Sequence, residues 1–304
     1  MGKYEAEVEP GHPDMSQSVI LDLVGRDKRV LDVGCAGGYI ARALIRQGCV
    51  VSGVEQDSES AAGAKDDLER LVIGDLETLD LVNEFGEGSF DAVVFGDVLE
   101  HLRDPHDALL QARRLLTPRG AVVVSIPNIA HGDIRLALLA GRWTYTDRGL
   151  LDDTHLRFFD RDGVERLMRN AGFTIAEMHR VHVAMFGSEV AVRREEFPPE
   201  LVEMVLASPE SDTYQFVFKA YRDDLDSSLV SLRAAVVARE LEIDELRSAL
   251  ATVRQESQDL AGELQVRTVE LAHAVERHHA LERSRTMRWT APARRLYHGI
   301  REAI

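Results

Sequence analysis

Three carboxylates stand at the ends of short apolar runs. Asp32 lies in Val30-Leu31-Asp32-Val33 just before a glycine turn, Glu55 follows Val50 to Val54, and Asp75 follows Leu71 to Gly74. In doubly wound folds a carboxylate about twenty residues beyond a glycine turn accepts from both hydroxyls of a ribose. That chemistry is open to Glu55, with Gln56 beside it. Asp75 can accept from an adenine amino group while Leu76 packs on the ring. Asp32 repels a pyrophosphate and attracts a sulfonium or an α-amino group. The ligand these residues suit is a nucleoside that carries positive charge.

The elements that position them form one stretch, residues 29–57, which reads strand, glycine turn, helix, strand and acidic tip. Val30, Leu31 and Val33 suit a strand buried on both faces of a parallel sheet. Gly34, Gly37 and Gly38 let the backbone turn close to a ligand with no Cβ in the way. Ile40, Ala41, Ala43 and Leu44 give the next helix an apolar side, and Gly48 ends it. The turn lacks the G-x-G-x-x-G spacing of a dinucleotide site. Its residues, Asp32-Val33-Gly34-Cys35-Ala36-Gly37-Gly38, resemble the D-x-G-x-G-x-G motif of class I S-adenosylmethionine-dependent methyltransferases, departing from it at Ala36. The resemblance implies a Rossmann-like α/β fold of seven strands and S-adenosylmethionine as cofactor. It implies that Asp32, Gly34, Ala36, Gly38, Glu55, Gln56, Asp75, Leu76 and Asp97 hold that cofactor. Asp97 belongs to Gly96-Asp97-Val98-Leu99-Glu100-His101-Leu102, which resembles the segment that passes the methionine part in this class.

Further strands are expected at Leu71–Gly74, Phe90–Phe95, Ala121–Ile126, Phe173–Met185 and Thr213–Tyr221, the last two as an antiparallel hairpin. Helices are expected over Asp14–Gly25, from Ser58 as cap to about Leu68, from Asp104-Pro105 to Leu116, and over Gly163–Ala171. Residues 186–212 read as loop with one short helix. Between the fifth strand and the Gly163 helix lie more than thirty residues, about 128–162. A connection that long is normally functional, and this one is rich in aromatic and polar side chains, as an acceptor-binding lid would be. Within it, Asp152-Asp153-Thr154-His155-Leu156-Arg157-Phe158-Phe159 resembles a branch of the class found among bacterial cell-surface polysaccharide and sugar methyltransferases. The resemblance covers roughly residues 15–222. It places His155 and Arg157 at the substrate; Asn128 and Tyr145, in the same connection, are the further candidate substrate-binding residues. Methyl transfer to a hydroxyl needs alignment and a base. Histidines titrate near neutrality, so His155 is the first candidate base and His101 the second. An equally direct reading has His155 and Arg157 pinning the lid to the sheet by hydrogen bonds. Asp152, Asp153 and His155 could together hold a divalent cation, but such triplets are common, and no metal is assigned. The Asn/Asp-Pro-Pro-aromatic motif of amino-group methyltransferases is missing, which favours oxygen as the acceptor atom.

The chain has 304 residues, 45% of them apolar, and a net charge of −16. Such an acidic balance excludes a general nucleic-acid binder, which needs a basic face. Its start carries no secretory signal pattern, and no apolar run reaches membrane-spanning length. A cytoplasmic protein is expected, with Cys35 and Cys49 forming no disulfide framework. Three regions follow: a methyltransferase domain over 1–222, a coiled coil over 223–284, and a basic tail over 285–304. The heptad seam has Leu229, Val236, Ile243, Leu250, Leu264 and Leu271 at a, and Leu232, Leu246, Val253, Leu260, Ala274 and Leu281 at d. Arg239, Ser257, Arg267 and His278 interrupt it. A homo-oligomer is expected. The tail sets five arginines against one glutamate around Met287, Trp289, Leu296 and Tyr297. That pattern suits an anionic surface, either the inner face of a membrane or an acidic partner such as a glycosyltransferase complex. The function expected is O-methylation of a sugar hydroxyl on a glycan or polysaccharide precursor. The alternatives are a small phenolic or natural-product acceptor, and a coiled-coil scaffold built on a degenerate methyltransferase fold.

Overall fold

The computed structural model describes residues 10–12, 14–224, 239, 260, 262, 264–281 and 295. The chain divides into two compact units, Met1–Ala238 and Arg239–Ile304. In the first, β1 (Arg29–Val33), β2 (Val50–Glu55), β3 (Arg70–Ile73), β4 (Phe90–Gly96), β5 (Leu116–Pro127), β6 (Phe173–His182) and β7 (Thr213–Arg222) make one sheet. Its order is β3-β2-β1-β4-β5-β7-β6. The first five strands run parallel, and β7 pairs antiparallel with both β5 and β6. All seven expected strands are present, though β6 ends at His182, short of Met185.

Period-two alternation splits each strand between two apolar layers. Leu31, Val33, Val93, Phe95, Val122 and Val124 join one core, with Leu109, Ala112 and Leu115 of α5 (Pro105–Leu115) and Val164 and Met168 of α7 (Arg161–Asn170). Val30, Val51, Ala92, Val94 and Val123 face the other way, onto α1 (Ser16–Val24) and α2 (Tyr39–Arg46). Each such valine, leucine or phenylalanine contributes about 1.5–3 kcal/mol by its burial. This two-sided covering leaves only the strand ends open, and a ligand must enter there.

One expected helix and the lid differ. The one expected from Ser58 to Leu68 is a single turn, α3 (Ser58–Ala61), capped by Asp57 rather than Ser58; the Asp57 side chain accepts from the Glu59 amide at 3.0 Å. Arg42 explains the early stop. Its Nη1 donates to the carbonyls of Gly37 and Gly63, at 2.7 and 3.2 Å, so the Gly63 carbonyl is turned toward the glycine turn. The lid is likewise more ordered than a loop. It contains α6 (Gly132–Leu139), whose cap His131 accepts from the Asp133 amide through Nδ1. A short α4 (Leu81–Phe85) precedes β4, and α8 (Pro199–Leu206) fills the expected place between β6 and β7.

The heptad seam and the arginine-rich tail fall almost wholly outside the described residues. Within them, residues 264–281 are helical, with Leu264, Leu271 and Leu281 exposed. No helix among the described residues is long and apolar enough to cross a membrane.

Candidate functional site

At the carboxyl ends of the parallel strands lies a cleft of about 320 Å³. Gly34 follows β1, Glu55 and Gln56 end β2, Asp75, Leu76 and Glu77 follow β3, and Asp97, Val98, His101, Leu102 and Arg103 follow β4; Leu156 of the lid closes the set. Seven of the expected site residues therefore share one cavity: Gly34, Glu55, Gln56, Asp75, Leu76, Asp97 and His101.

The glycine turn is tight for reasons visible in its geometry. Gly34 has φ +73°, and a Cβ there would meet Val98 Cγ2 at 2.6 Å. Ala36 adopts φ +44°, uncommon outside glycine, and its amide donates to Glu55 Oε2 at 2.8 Å. Glu55 Oε1 accepts the amides of Gln56 and Asp57 at 2.9 and 3.0 Å. Oε1 is filled by those two bonds, and Oε2 keeps lone-pair capacity for a ribose hydroxyl. Gly38, at φ +77°, presses on Ala64, which a Cβ would approach to 2.7 Å. Ala36 and Gly38 thus shape the turn and do not line the cleft.

Acidic groups predominate around the cleft, with Glu55, Asp75, Glu77 and Asp97 against Arg103. Asp32 lies buried behind the turn with Oδ2 unpartnered; burial, then the Glu55 charge, pushes its carboxyl up to about 7. Asp97, at φ +57°, takes hydrogen bonds on Oδ1 from Ser125 Oγ, at 2.8 Å, and from Gln215 Nε2. Burial raises it, and those two bonds offset part of the rise. Asp75 spends Oδ1 on the Glu77 amide at 2.9 Å, capping the following turn.

The lid meets the cleft at a short 3-10 turn, Leu99–His101. The Glu100 carbonyl accepts the amides of both Leu156 and Arg157 at 2.9 Å. His101 and His155 stand edge to face, ring centroids 4.8 Å apart. His101 Nδ1 contacts the Thr154 carbonyl at 3.2 Å and Thr154 Oγ1 at 3.1 Å. His155 is buried, with Nδ1 unpartnered. Burial, and then the His101 charge, lowers its pKa, so it stays neutral at pH 7. Glu100 is the residue that sequence reasoning missed: its carboxylate is buried and both oxygens lack a partner. Burial and the Asp97 charge hold it well above the usual carboxylate range.

Three expected substrate residues lie elsewhere. Asn128 is fully buried; its amide donates to the carbonyls of Thr213 and Glu210, and its oxygen accepts from Ala130. Its side chain is consumed in joining β5 to the β7 approach. Arg157 spends its guanidinium on the Arg103 carbonyl, at 2.6 and 3.1 Å, and so pins the lid down. Tyr145 is exposed and packs edge-on against Trp143, away from the cleft lining. The cation set of Asp152, Asp153 and His155 does not assemble either, because Asp152 Oδ1 is taken by the Thr154 amide and hydroxyl.

An acidic cleft with a glycine-rich turn, a glutamate at the end of β2 with one oxygen still able to accept, and an unpartnered buried carboxylate fits S-adenosylmethionine, which is a cation, and disfavours a pyrophosphate. Fold and site together define a methyltransferase dependent on that cofactor. The chain belongs to the methyltransferase-domain family, whose model matches residues 16–178, just over half of its length. A ubiquinone biosynthesis O-methyltransferase of Psychrobacter arcticus is 27% identical over 188 residues, covering 59% of this chain and 71% of that protein. One from Acinetobacter baumannii is 29% identical over 161 residues, covering 51% and 67%. Among solved structures, an S-adenosylmethionine-dependent methyltransferase from Archaeoglobus fulgidus superposes with TM-score 0.50 at 14% identity, over 69% of this chain and 94% of that one. That last likeness is one of fold alone.

Proposed function

We propose that the protein transfers a methyl group to a hydroxyl oxygen, and that the hydroxyl belongs to a sugar of a glycan or its precursor. The observation that carries the oxygen acceptor is the His101–His155 pair at the edge of the cofactor cleft, rings 4.8 Å apart. An imidazole in its neutral form, which burial favours at His155, is suited to receive a hydroxyl and accept its proton. The cofactor supplies a methyl carbon already activated by a sulfonium. Glu55 and Asp75 hold the nucleoside, Asp97 faces the charged end, Asp32 adds its field from behind the turn, and Leu156 borders the cleft from the lid. The relatives' names, O-methyltransferases, support the same acceptor atom.

The sugar reading draws on the half-exposed Trp143 and exposed Tyr145 of the lid, which offer flat apolar faces beside polar groups. A second reading, a quinone-type phenol, is favoured by those relatives, which are named for ubiquinone biosynthesis. Formation of S-adenosylhomocysteine with a panel of sugar acceptors and of catechols separates the two. Turnover on sugars alone is the expected result. Turnover on catechols alone moves the acceptor to the second reading, and methylation only of amines overturns both.

A further inference from the structure

Aromatic rings run in unbroken edge-to-face contact from the cofactor cleft to the outer surface of the lid. His101 lines the cleft and meets His155 at 4.8 Å. His155 meets Phe158 at 6.2 Å, Phe158 meets Trp143 at 5.4 Å, and Trp143 meets Tyr145 at 6.1 Å, each between ring centroids. Burial decreases along the row. His155 is buried and Phe158 packs on Ile134, Leu150 and Leu151, whereas Trp143 is 39% and Tyr145 54% exposed. The two outer rings are nevertheless held in place by their neighbours in the chain. On one side the Arg142 amide donates to the Ala137 carbonyl at 2.8 Å, and the Arg142 guanidinium to Glu196 Oε2 at 2.5 Å. On the other, the Thr146 amide donates to the Leu151 carbonyl at 2.9 Å and its carbonyl accepts from the Asp153 amide at 3.0 Å. Rings fixed this way yet left open to water add little to the fold, because the burial that makes an aromatic side chain stabilising is forgone.

We propose that Trp143 and Tyr145 form an outer acceptor subsite, a shelf that stacks the sugar residues adjoining the one whose hydroxyl is methylated. On the sugar reading above, on which this rests, the acceptor is then a chain of at least two sugar residues and not a free monosaccharide. A single sugar at the cleft edge would leave Trp143 uncovered, since Phe158 stands between Trp143 and His155. A chain that continues outward along the row meets Trp143 next and Tyr145 beyond it. A pyranose presents C–H bonds on its faces and hydroxyls round its rim, so it lies on an aromatic face while its rim stays polar. The shelf offers both surfaces: the open rings themselves, and the exposed Thr144, Asp147 and Arg148 among and beside them. A prenyl chain has no polar rim and is stabilised by enclosure on every side. Rings this open, with charged neighbours, do not enclose one. No bond is made or broken at the shelf; it holds the adjoining residues so that the reacting hydroxyl stays at the cleft.

The chain has two tryptophans, so Trp289→Phe leaves Trp143 alone and makes its emission a report from the shelf. The full-length variant, saturated with S-adenosylhomocysteine, is titrated with gluco-, galacto-, manno- and rhamno-oligosaccharides, with the matching monosaccharides, and with geranylgeraniol. At least one oligosaccharide is expected to change the emission saturably. Its affinity should exceed that of its monosaccharide by about tenfold, the gain that one well-stacked ring brings. By calorimetry, Trp143→Ala and Tyr145→Ala in the otherwise natural chain should each lose most of that gain, with retained binding of S-adenosylhomocysteine showing that the fold is intact. If Trp143→Ala fails to fold, Tyr145→Ala decides. No response to any oligosaccharide, equal affinity for monosaccharide and oligosaccharide, a response to geranylgeraniol alone, or oligosaccharide affinity unchanged in the alanine variants overturns the shelf. Methyl transfer to sugars with no response at Trp143 removes the shelf and keeps the sugar reading. Oligosaccharide binding at Trp143 with methyl transfer to catechols alone removes that reading and leaves the shelf as a binding site.

Discussion

Glu55 Oε2 accepts the Ala36 amide at 2.8 Å, so the carboxylate proposed for the ribose also ties the glycine turn to the end of β2. On that proposal, recognition and turn geometry are one device. Glu55→Ala removes an acceptor of the ligand and leaves the Ala36, Gln56 and Asp57 amides without their partner. Affinity for S-adenosylhomocysteine is expected to fall by about 1.5–3 kcal/mol, the scale of a hydrogen bond to a charged group. Isothermal calorimetry reads this directly, and an unchanged affinity would remove Glu55 from the site.

Gly34 faces Val98, and two penalties at that position can be separated. Gly34→Ala places a Cβ 2.6 Å from Val98 Cγ2 and also holds an alanine at φ +73°. A loss of about 2–4 kcal/mol is expected from the clash and the backbone strain together. Val98→Ala in the same chain removes only the clash and should recover part of the loss. Urea unfolding of the four proteins of the cycle gives the coupling; zero coupling would mean that Val98 is not what the alanine meets.

Asp32 makes cofactor binding a proton-linked event. Its folded pKa of about 7 lies above the ordinary 3.8. Between those values the ligand-free folded protein keeps a proton that the unfolded chain has released. Stability without ligand therefore falls as pH rises through that window and levels off above it. A cationic ligand favours the ionised carboxylate, so binding near pH 6 expels a proton and affinity for S-adenosylmethionine climbs up to about pH 7. Calorimetry in two buffers of different ionisation enthalpy measures the proton directly. Asp32→Asn should abolish the release; a wild-type affinity flat between about pH 5.5 and 8 would contradict the linkage.

Glu210 carries the opposite sign. Burial pushes its carboxyl up, but Arg180, Thr213 and Arg161 outweigh that and hold it at about 2. Its folded pKa lies below the ordinary 4.5, so the stability it contributes is present above that value and is lost as pH falls toward 2. Glu210→Gln is expected to cost about 1–2 kcal/mol at neutral pH, discounted for two arginines that are over a third exposed. In an acid titration followed by circular dichroism, the variant's transition should be shallower below pH 4.5. Identical acid limbs would show that the arginines are indifferent to the charge.

How much of this was legible in sequence depended on whether the cause was local. The glycine turn, Glu55 and the seven strands follow from periodicity and from positions needing positive φ, which neighbouring residues determine. Glu100 was not legible, because nothing local tells its burial: Leu156 and Arg157, more than fifty residues away, dock on its carbonyl. Asn128 misled for the same reason: its partners at Glu210 and Thr213 come from the far end of the domain. The helix expected through Leu68 failed because Arg42, on another element, captures the Gly63 carbonyl.

We propose, from the heptad seam, that the protein is a homodimer held by residues 225–281. Leu264, Leu271 and Leu281 are exposed in the single chain; such a stripe is stabilised when a second copy covers it. Ending the chain after Asp224 keeps the bonds that Asp223 makes to Arg113 and Gly172. That shortened protein is expected to be a monomer that still binds S-adenosylhomocysteine. Light scattering at micromolar concentration compares the two, and a monomeric full-length protein would refute the coiled-coil dimer.

The place of β7 sets the order in which the molecule can be made. It is the last strand of the sheet to be synthesised, yet it lies between β5 and β6. Until Thr213–Arg222 has left the ribosome, β5 has an open edge and β6 has no partner at all. The nascent chain must therefore hold two unpaired β-edges, the form most prone to joining a stranger, until its final strand arrives. Lys219 on that strand then donates to the Leu23 carbonyl of α1. The helix α1 is thus fastened by the last strand of the sheet.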